Sequence, residues 1–300
     1  MAFDLDKVQF EEIQIDHSAF PHGTTFLILG EAKVGKTTFA KGFPNPLFLD
    51  MENGARFFPG IRRLNIVDIN TPLRNKLDSL GNPMISDKNK FIMEKVPFLE
   101  RGFFRNGQPA PGYSIAEAIK YIDSSFATER WGTVVLDTVD ILNLLAEGEV
   151  MKAHDTNAMG NAKDFGKDWA ESRQKVMRIL KAIQGTCQKR EIDFVILSHV
   201  KVASSPDLED DEKTIQTIVP DLPSGLRKQV ASIADVIGYA HKTRRGERLL
   251  SFKSTEQNII GSRLTPLADK VIELSYEAMY NEYVNYNKPK EAPAAEVAAL

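Results

Sequence analysis

Gly30-Glu31-Ala32-Lys33-Val34-Gly35-Lys36-Thr37 matches, at every fixed position, the pattern G-x-x-x-x-G-K-[ST]. An apolar run, Thr25 to Leu29, precedes it, and a helix-forming run, Thr38 to Gly42, follows. Strand, loop and helix in that order bring successive backbone N–H groups and a helix N-terminus onto one point, where phosphate is the fitting guest. Lys36 adds a point charge for the outer phosphates, and Thr37 adds a hydroxyl suited to a magnesium ion. Glycine suits the loop because a side chain would crowd the phosphates or forbid the backbone angles. Gly30 to Thr37, with Thr38 behind them, are therefore the predicted contacts of a nucleoside triphosphate.

Composition narrows what surrounds that loop. The chain has 300 residues, 42% hydrophobic and 26% charged, which fits one large α/β domain or two small ones. A formal net charge of -3 means that any nucleic-acid contact must come from a local basic patch. Cys187 is the only cysteine, so an intramolecular disulfide and a cysteine-rich zinc site are excluded, and the residue reads as core. No apolar run approaches membrane-spanning length, and Met1 to Asp6 carries acids instead of a basic signal segment, so a cytoplasmic protein without membrane partners is expected.

Outward from the loop, short apolar strands alternate with helices. A strand is predicted at Val8 to Ile15, then core strands at Phe26 to Gly30, Leu47 to Asp50, Asn65 to Ile69, Thr133 to Asp137 and Phe194 to Leu197. Helices are predicted at Ser114 to Ser124, from Val139, and around Trp169, Val176, Ile179, Leu180 and Ile183, which share helical spacing. Val236 to His241 and Leu249 to Lys253 read as strands joined by a charged turn. This rhythm predicts an α/β fold with a mostly parallel sheet covered by helices on both faces. The predicted organisation is an N-terminal strand segment (1–20), a core (21–275) and a C-terminal extension (276–300), disordered from about residue 288. Residues 76–112, with Phe91, Phe98, Phe103 and Phe104, form an insertion: a packed hairpin, a lid, or a surface for a partner or stacked bases. Residues 151–166 and 201–226 read as long loops.

Chemistry collects at the strand ends. Asp137 ends Thr133-Val134-Val135-Leu136-Asp137, the place for a carboxylate that organises magnesium. Phe48-Leu49-Asp50-Met51-Glu52 ends another strand and puts Glu52 on the same rim, free to polarise water; the alternative is a solvated turn carboxylate before Asn53-Gly54. Asp50 lies closer to the strand and suits anchoring the loop. His199, after Phe194 to Ser198, can sense the outermost phosphate or hold the rim together.

With these residues in place the chain resembles the RecA/Rad51-type P-loop ATPase core, and particularly the compact phage-encoded Sak4-like single-strand annealing proteins. The likeness spans about Phe20 to Leu274 and rests on the phosphate loop, Asp50-Met51-Glu52, Val134-Val135-Leu136-Asp137-Thr138 and His199, which stands where the family often has Gln. The resemblance implies a RecA-like fold and an ATPase using ATP and Mg2+, slow and stimulated by DNA or assembly. It makes Glu52, Lys36, His199 and Lys253 catalytic, with Lys253, and beside it Arg263, reaching a neighbouring subunit's site. It makes 151–166 and 201–226 the DNA loops, and it implies head-to-tail self-assembly, single-stranded DNA and a phage single-strand-binding protein as partners, in the host cytoplasm.

Two features depart from the family. Asp207, Glu209, Asp210, Asp211 and Glu212 make the second loop locally negative, against the charge that binds phosphates. The phenylalanine-bearing insertion has no counterpart in a bare recombinase core. Arg227, Lys228, Lys242, Arg244, Arg245, Arg248, Lys253 and Arg263 supply a basic stretch instead, read either as solvated surface or as a patch facing DNA or a neighbour. Two other readings stay open: a P-loop phosphotransferase with 76–112 as its lid, and a non-hydrolysing nucleotide-dependent partner-binding protein.

Overall fold

A computed structural model describes residues 23–70, 73–95, 104–105, 108–109, 112–160, 166–206, 214–255 and 258–287. Its centre is a ten-stranded mixed sheet. In chain order the elements are β1 (Thr25–Gly30), α1 (Lys36–Lys41), β2 (Pro46–Asp50), β3 (Arg62–Asp68), four short strands β4 (Leu73–Asn75), β5 (Met93–Lys95), β6 (Phe104–Arg105) and β7 (Gln108–Pro109), β8 (Tyr113–Ser114) and α2 (Ile115–Glu129). Then come β9 (Thr133–Asp137), α3 (Val139–Ala153), α4 (Lys167–Lys189), β10 (Asp193–Ser198), β11 (Val200–Pro206), β12 (Thr214–Pro220), α5 (Ser224–Ile233), β13 (Val236–Lys242), β14 (Arg248–Ser251), β15 (Gly261–Ser262), β16 (Val271–Glu273) and α6 (Tyr276–Asn287).

The strand order is β16-β14-β13-β1-β10-β9-β2-β3-β8, with β15 also on β13. From β13 to β8 all neighbours run parallel, while β14, β15 and β16 are antiparallel. All six residues of β1 are buried, as a parallel strand covered on both faces requires. Alternate β1 residues feed two cores: Leu27 and Leu29 pack with α2, α3, α4 and α5, whereas Phe26 and Ile28 pack with Phe39 of α1 and with Met279 and Tyr283 of α6. Cys187 is buried in the first of these cores.

Several expectations change in detail. The helix begun at Ser114 runs on to Glu129 behind a reciprocal cap: Glu117 Oε2 accepts the Ser114 N–H (2.9 Å) and Ser114 Oγ accepts the Glu117 N–H (3.2 Å). Trp169 is exposed, because the inward positions of the first turns of α4 belong to Asp168 and Ser172. Asp168 accepts N–H bonds from Gly160 and Trp169 and so fastens the preceding turn. Residues 151–153 complete α3 and are not loop, and 161–165 lie outside the described residues. The 201–226 segment is an antiparallel hairpin, β11 on β12, followed by the start of α5, where Leu222 and Leu226 enter the core. The β-branched run Thr214 to Val219 favours strand there. The acidic residues Asp207 to Glu212 lie outside the described residues, as do the Val8 to Ile15 strand, residues 288–300, and Phe98 and Phe103 of the insertion. That insertion holds β5, which pairs with β4 just ahead of it, and the hairpin of β6 with β7, both separate from the main sheet. The predicted boundary at residue 275 also moves, since α6 closes the second core. Among the described residues no helix is long and apolar enough to cross a membrane.

Asp193, at the amino end of β10, accepts the Thr24 N–H (3.2 Å), and burial pushes its carboxyl up to about 7. Between about pH 4 and pH 7 the native chain thus holds a proton that the unfolded chain has released. The contribution of this group should fall as pH rises through that window, by on the order of 4 kcal/mol, and level off above it. Asp193→Asn should make the fall in urea midpoint from pH 4 to pH 8 shallower, most clearly between pH 6 and pH 7, above the Asp137 range; an unchanged slope there would place its origin elsewhere.

Candidate active site

The sheet order decides what meets the phosphate loop. β10 is interposed between β1 and β9, and β2 lies beyond β9. Asp50 pairs with Asp137, and the Met51 N–H donates to the Asp137 carbonyl (2.7 Å), so Glu52 leaves the sheet beside Asp137. Along one rim the chain sets the loop, His199, Asp137 and Glu52 side by side. Lys33, Gly35, Lys36, Thr37, Thr38, Glu52, Asp137 and His199 line one cleft of about 230 Å³ together with Phe58 and Arg248.

Two glycines shape the loop. A Cβ on Gly30 would lie 2.8 Å from the Ala240 carbonyl oxygen and 2.9 Å from Val34, so the strand end has no room for one. Gly35 sits at φ +120°, strained for any side chain, and hands the chain to α1. Glu31, Ala32 and Lys33 form the exposed crest of the loop, and Val34 anchors it in the core. Lys36 is buried; its Nζ donates to the carbonyls of Gly30 (2.9 Å) and Glu31 (3.0 Å). Burial lowers its pKa, opposed by Glu52, Asp137 and Asp140.

Thr37 Oγ1 donates to Asp137 Oδ2 (2.9 Å), and burial raises the Asp137 carboxyl to about 6, against the pull of that hydroxyl. Adjacent hydroxyl and carboxylate oxygens are the hard donors that magnesium takes, so the pair fits that ion. A buried cation on α1 and a side-chain-free Gly35 likewise fit a polyphosphate.

Glu52 Oε1 accepts the Thr138 hydroxyl (2.8 Å) and lies 3.4 Å from His199 Nδ1. Asp50 does anchor the following loop: Oδ1 accepts Gly54 N–H (3.1 Å), and Oδ2 accepts Ala55 N–H (3.2 Å) and Arg63 Nη1 (3.1 Å). His199 is gripped by Asp140, whose Oδ2 accepts the His199 N–H (2.7 Å) and lies 3.1 Å from Nδ1. That bond raises the His199 pKa, opposed by burial and by Lys36. Glu52, Asp140 and His199 thereby bring three donor atoms within 4.8 Å of one another, a cluster their own contacts account for. The His199 carbonyl also accepts the Asp221 N–H (2.9 Å), closing the base of the β11–β12 hairpin.

The basic residues fall differently from expectation. β14 runs antiparallel to β13, with Arg248 opposite Lys242, beyond the rim pair Gly30 and Ala240. Arg248 Nη1 lies 3.4 Å from where a Cβ of Gly35 would be. The chain thus carries its own arginine at the site. Lys253, past the other end of β14, is exposed and outside this cleft. Arg263 is bound to Asp235 (2.8 Å), whose other oxygen accepts the Thr25 N–H (2.9 Å) at the start of β1, away from the rim. Sequence reasoning missed Phe58, Asp140 and Arg248 as site residues. Asp140, three residues past Asp137 at the start of a helix, offered the one local signal.

The AAA domain family matches residues 22–264. No curated protein matches the chain. Among solved structures, a KaiC-like protein of the hyperthermophilic archaeon Pyrococcus horikoshii is similar at 14% identity, over 85% of this chain and 86% of that one, with a TM-score of 0.40. The match over most of its length, and a phosphate loop set on a mixed sheet between helical layers, place this chain in the AAA domain family of ATP-binding P-loop NTPases.

Proposed function

We propose that the protein is a Mg2+-dependent ATPase that assembles head-to-tail on single-stranded DNA, in annealing or strand exchange during phage recombination. The observation that carries hydrolysis is Glu52, held by Thr138 at 2.8 Å beside, but not on, the Thr37–Asp137 pair. Lys36 and the loop amides bind the phosphates, and Thr37 and Asp137 would hold the metal. When bound, Mg2+ supplies positive charge against the phosphate oxygens. Glu52 orients water and takes its proton. His199 joins this site to the β11–β12 hairpin, which supports the hairpin as the nucleic-acid element. Among the described residues, none that lines the cleft comes from 76–112, so the phosphotransferase reading draws no support from the cleft.

ATP turnover measured with and without single-stranded DNA, across protein concentration, tests the whole proposal. Stimulation by DNA that grows with protein concentration is the expected result. Flat, DNA-independent turnover would remove the DNA and assembly parts, and tight ATP retention without turnover would favour a nucleotide clamp.

Arg248 and Lys253 separate charge from the same chain and charge from a neighbour. Arg248→Ala should weaken ATP binding about tenfold at any protein concentration, the scale of one charge-assisted hydrogen bond. Lys253→Ala should lower turnover only in the assembled form, and mixing with an inactive partner that retains Lys253 should restore it. An Arg248 effect that vanishes on dilution would assign that residue to the neighbour instead.

A further inference from the structure

Asp140 is an acid for which phosphate binding, metal binding and water activation have no use. It is buried on the first turn of α3, yet its carboxylate is fully engaged. Oδ1 accepts the Ser198 hydroxyl (2.7 Å), while Oδ2 accepts the His199 backbone N–H (2.7 Å) and faces His199 Nδ1 at 3.1 Å. Every one of these contacts lands on the end of β10. The same imidazole nitrogen faces Glu52 Oε1 at 3.4 Å. One ring nitrogen therefore stands between a buried carboxylate that is fixed by three contacts and a rim carboxylate fixed by one hydroxyl.

We propose that Asp140 is a positioning residue of the hydrolytic site: it holds the His199 ring, with its proton on Nδ1, against Glu52, and so fixes where Glu52 aims. The inference rests on the ATPase reading above. A carboxylate that orients an imidazole acts by setting which nitrogen carries the proton, and Asn in its place can present an N–H where an acceptor is needed. Asp140 is not among the residues that line the cleft. It works on Glu52 through His199, and its loss should be felt in turnover and not in nucleotide affinity.

The test is a double-mutant cycle of Asp140→Asn and His199→Gln, reading kcat, ATP affinity and thermal midpoint. Asp140→Asn alone should lower kcat about tenfold or more, with ATP affinity within about twofold of wild type. In the His199→Gln background it should cost nothing further in kcat. An equal loss of kcat in both backgrounds would make Asp140 a plain structural residue and overturn the proposal. Nitrogen-15 NMR of the histidine rings in the wild-type protein supplies a readout independent of turnover and of how well the variant folds. His199 should carry its proton on Nδ1; a neutral ring protonated only on Nε2 would also overturn the proposal. Should the wild type hydrolyse no ATP, the ATPase reading falls, while the tautomer still decides whether Asp140 sets the ring.

Discussion

Glu52→Gln should bind ATP as the wild type does and turn it over about 10²- to 10⁴-fold more slowly, the usual worth of a positioned general base. Glutamine keeps the shape of the side chain, and its Oε1 can still accept the Thr138 hydroxyl that holds Glu52 at 2.8 Å. What it loses is the capacity to take a proton from water. Because Glu52 stands beside the Thr37–Asp137 pair and outside it, phosphate and metal contacts are untouched. The measurement is phosphate release in a single turnover, alongside a calorimetric ATP titration. Turnover at the wild-type rate would remove Glu52 from the chemistry and leave Asp50 no better placed, since both its oxygens are already committed to the 54–55 backbone and Arg63.

Lys36→Ala should do the opposite, abolishing tight binding. The ammonium is buried and its hydrogen bonds end on two loop carbonyls, so it is a desolvated cation placed where phosphate can displace weak neutral acceptors. A charge-assisted hydrogen bond contributes roughly 1.5–3 kcal/mol, and loss of one or two predicts ATP affinity lower by about 10²-fold or more. Mg-ATP should raise the thermal midpoint of the wild type, by the linkage of ligand to the native state, and leave that of the variant unmoved. A full ATP-induced shift in Lys36→Ala would mean that the triphosphate binds somewhere else.

The parts of this site legible in sequence are those written locally. The phosphate loop, the apolar strand ending in Asp137 and the strand leading to Glu52 each declare themselves within ten residues, because a buried parallel strand needs an unbroken apolar run. Arg248 was hidden, although the basic turn holding it was visible. Whether Arg248 or Lys253 approaches the phosphates depends on β14 running antiparallel to β13, a pairing set by tertiary contact and not by either residue's neighbours. Asp140 was hidden for the same reason: its partners are 58 and 59 positions away. The 201–226 segment misled because its charged middle reads as loop, while the alternation flanking it builds a hairpin. Trp169 misled because aromatic residues at helical spacing suggest a buried stripe, whereas polar Asp168 and Ser172 take the inward positions.

The β11–β12 hairpin stands outside the main sheet, and the bond from Asp221 N–H to the His199 carbonyl ties its base. Such a graft makes the arm modular. Its outer part can be lengthened, trimmed or recoloured in charge by drift without disturbing a strand that carries the phosphate loop or Asp137. Descendants of one nucleotide-binding core could in this way come to carry different arms on the same sheet.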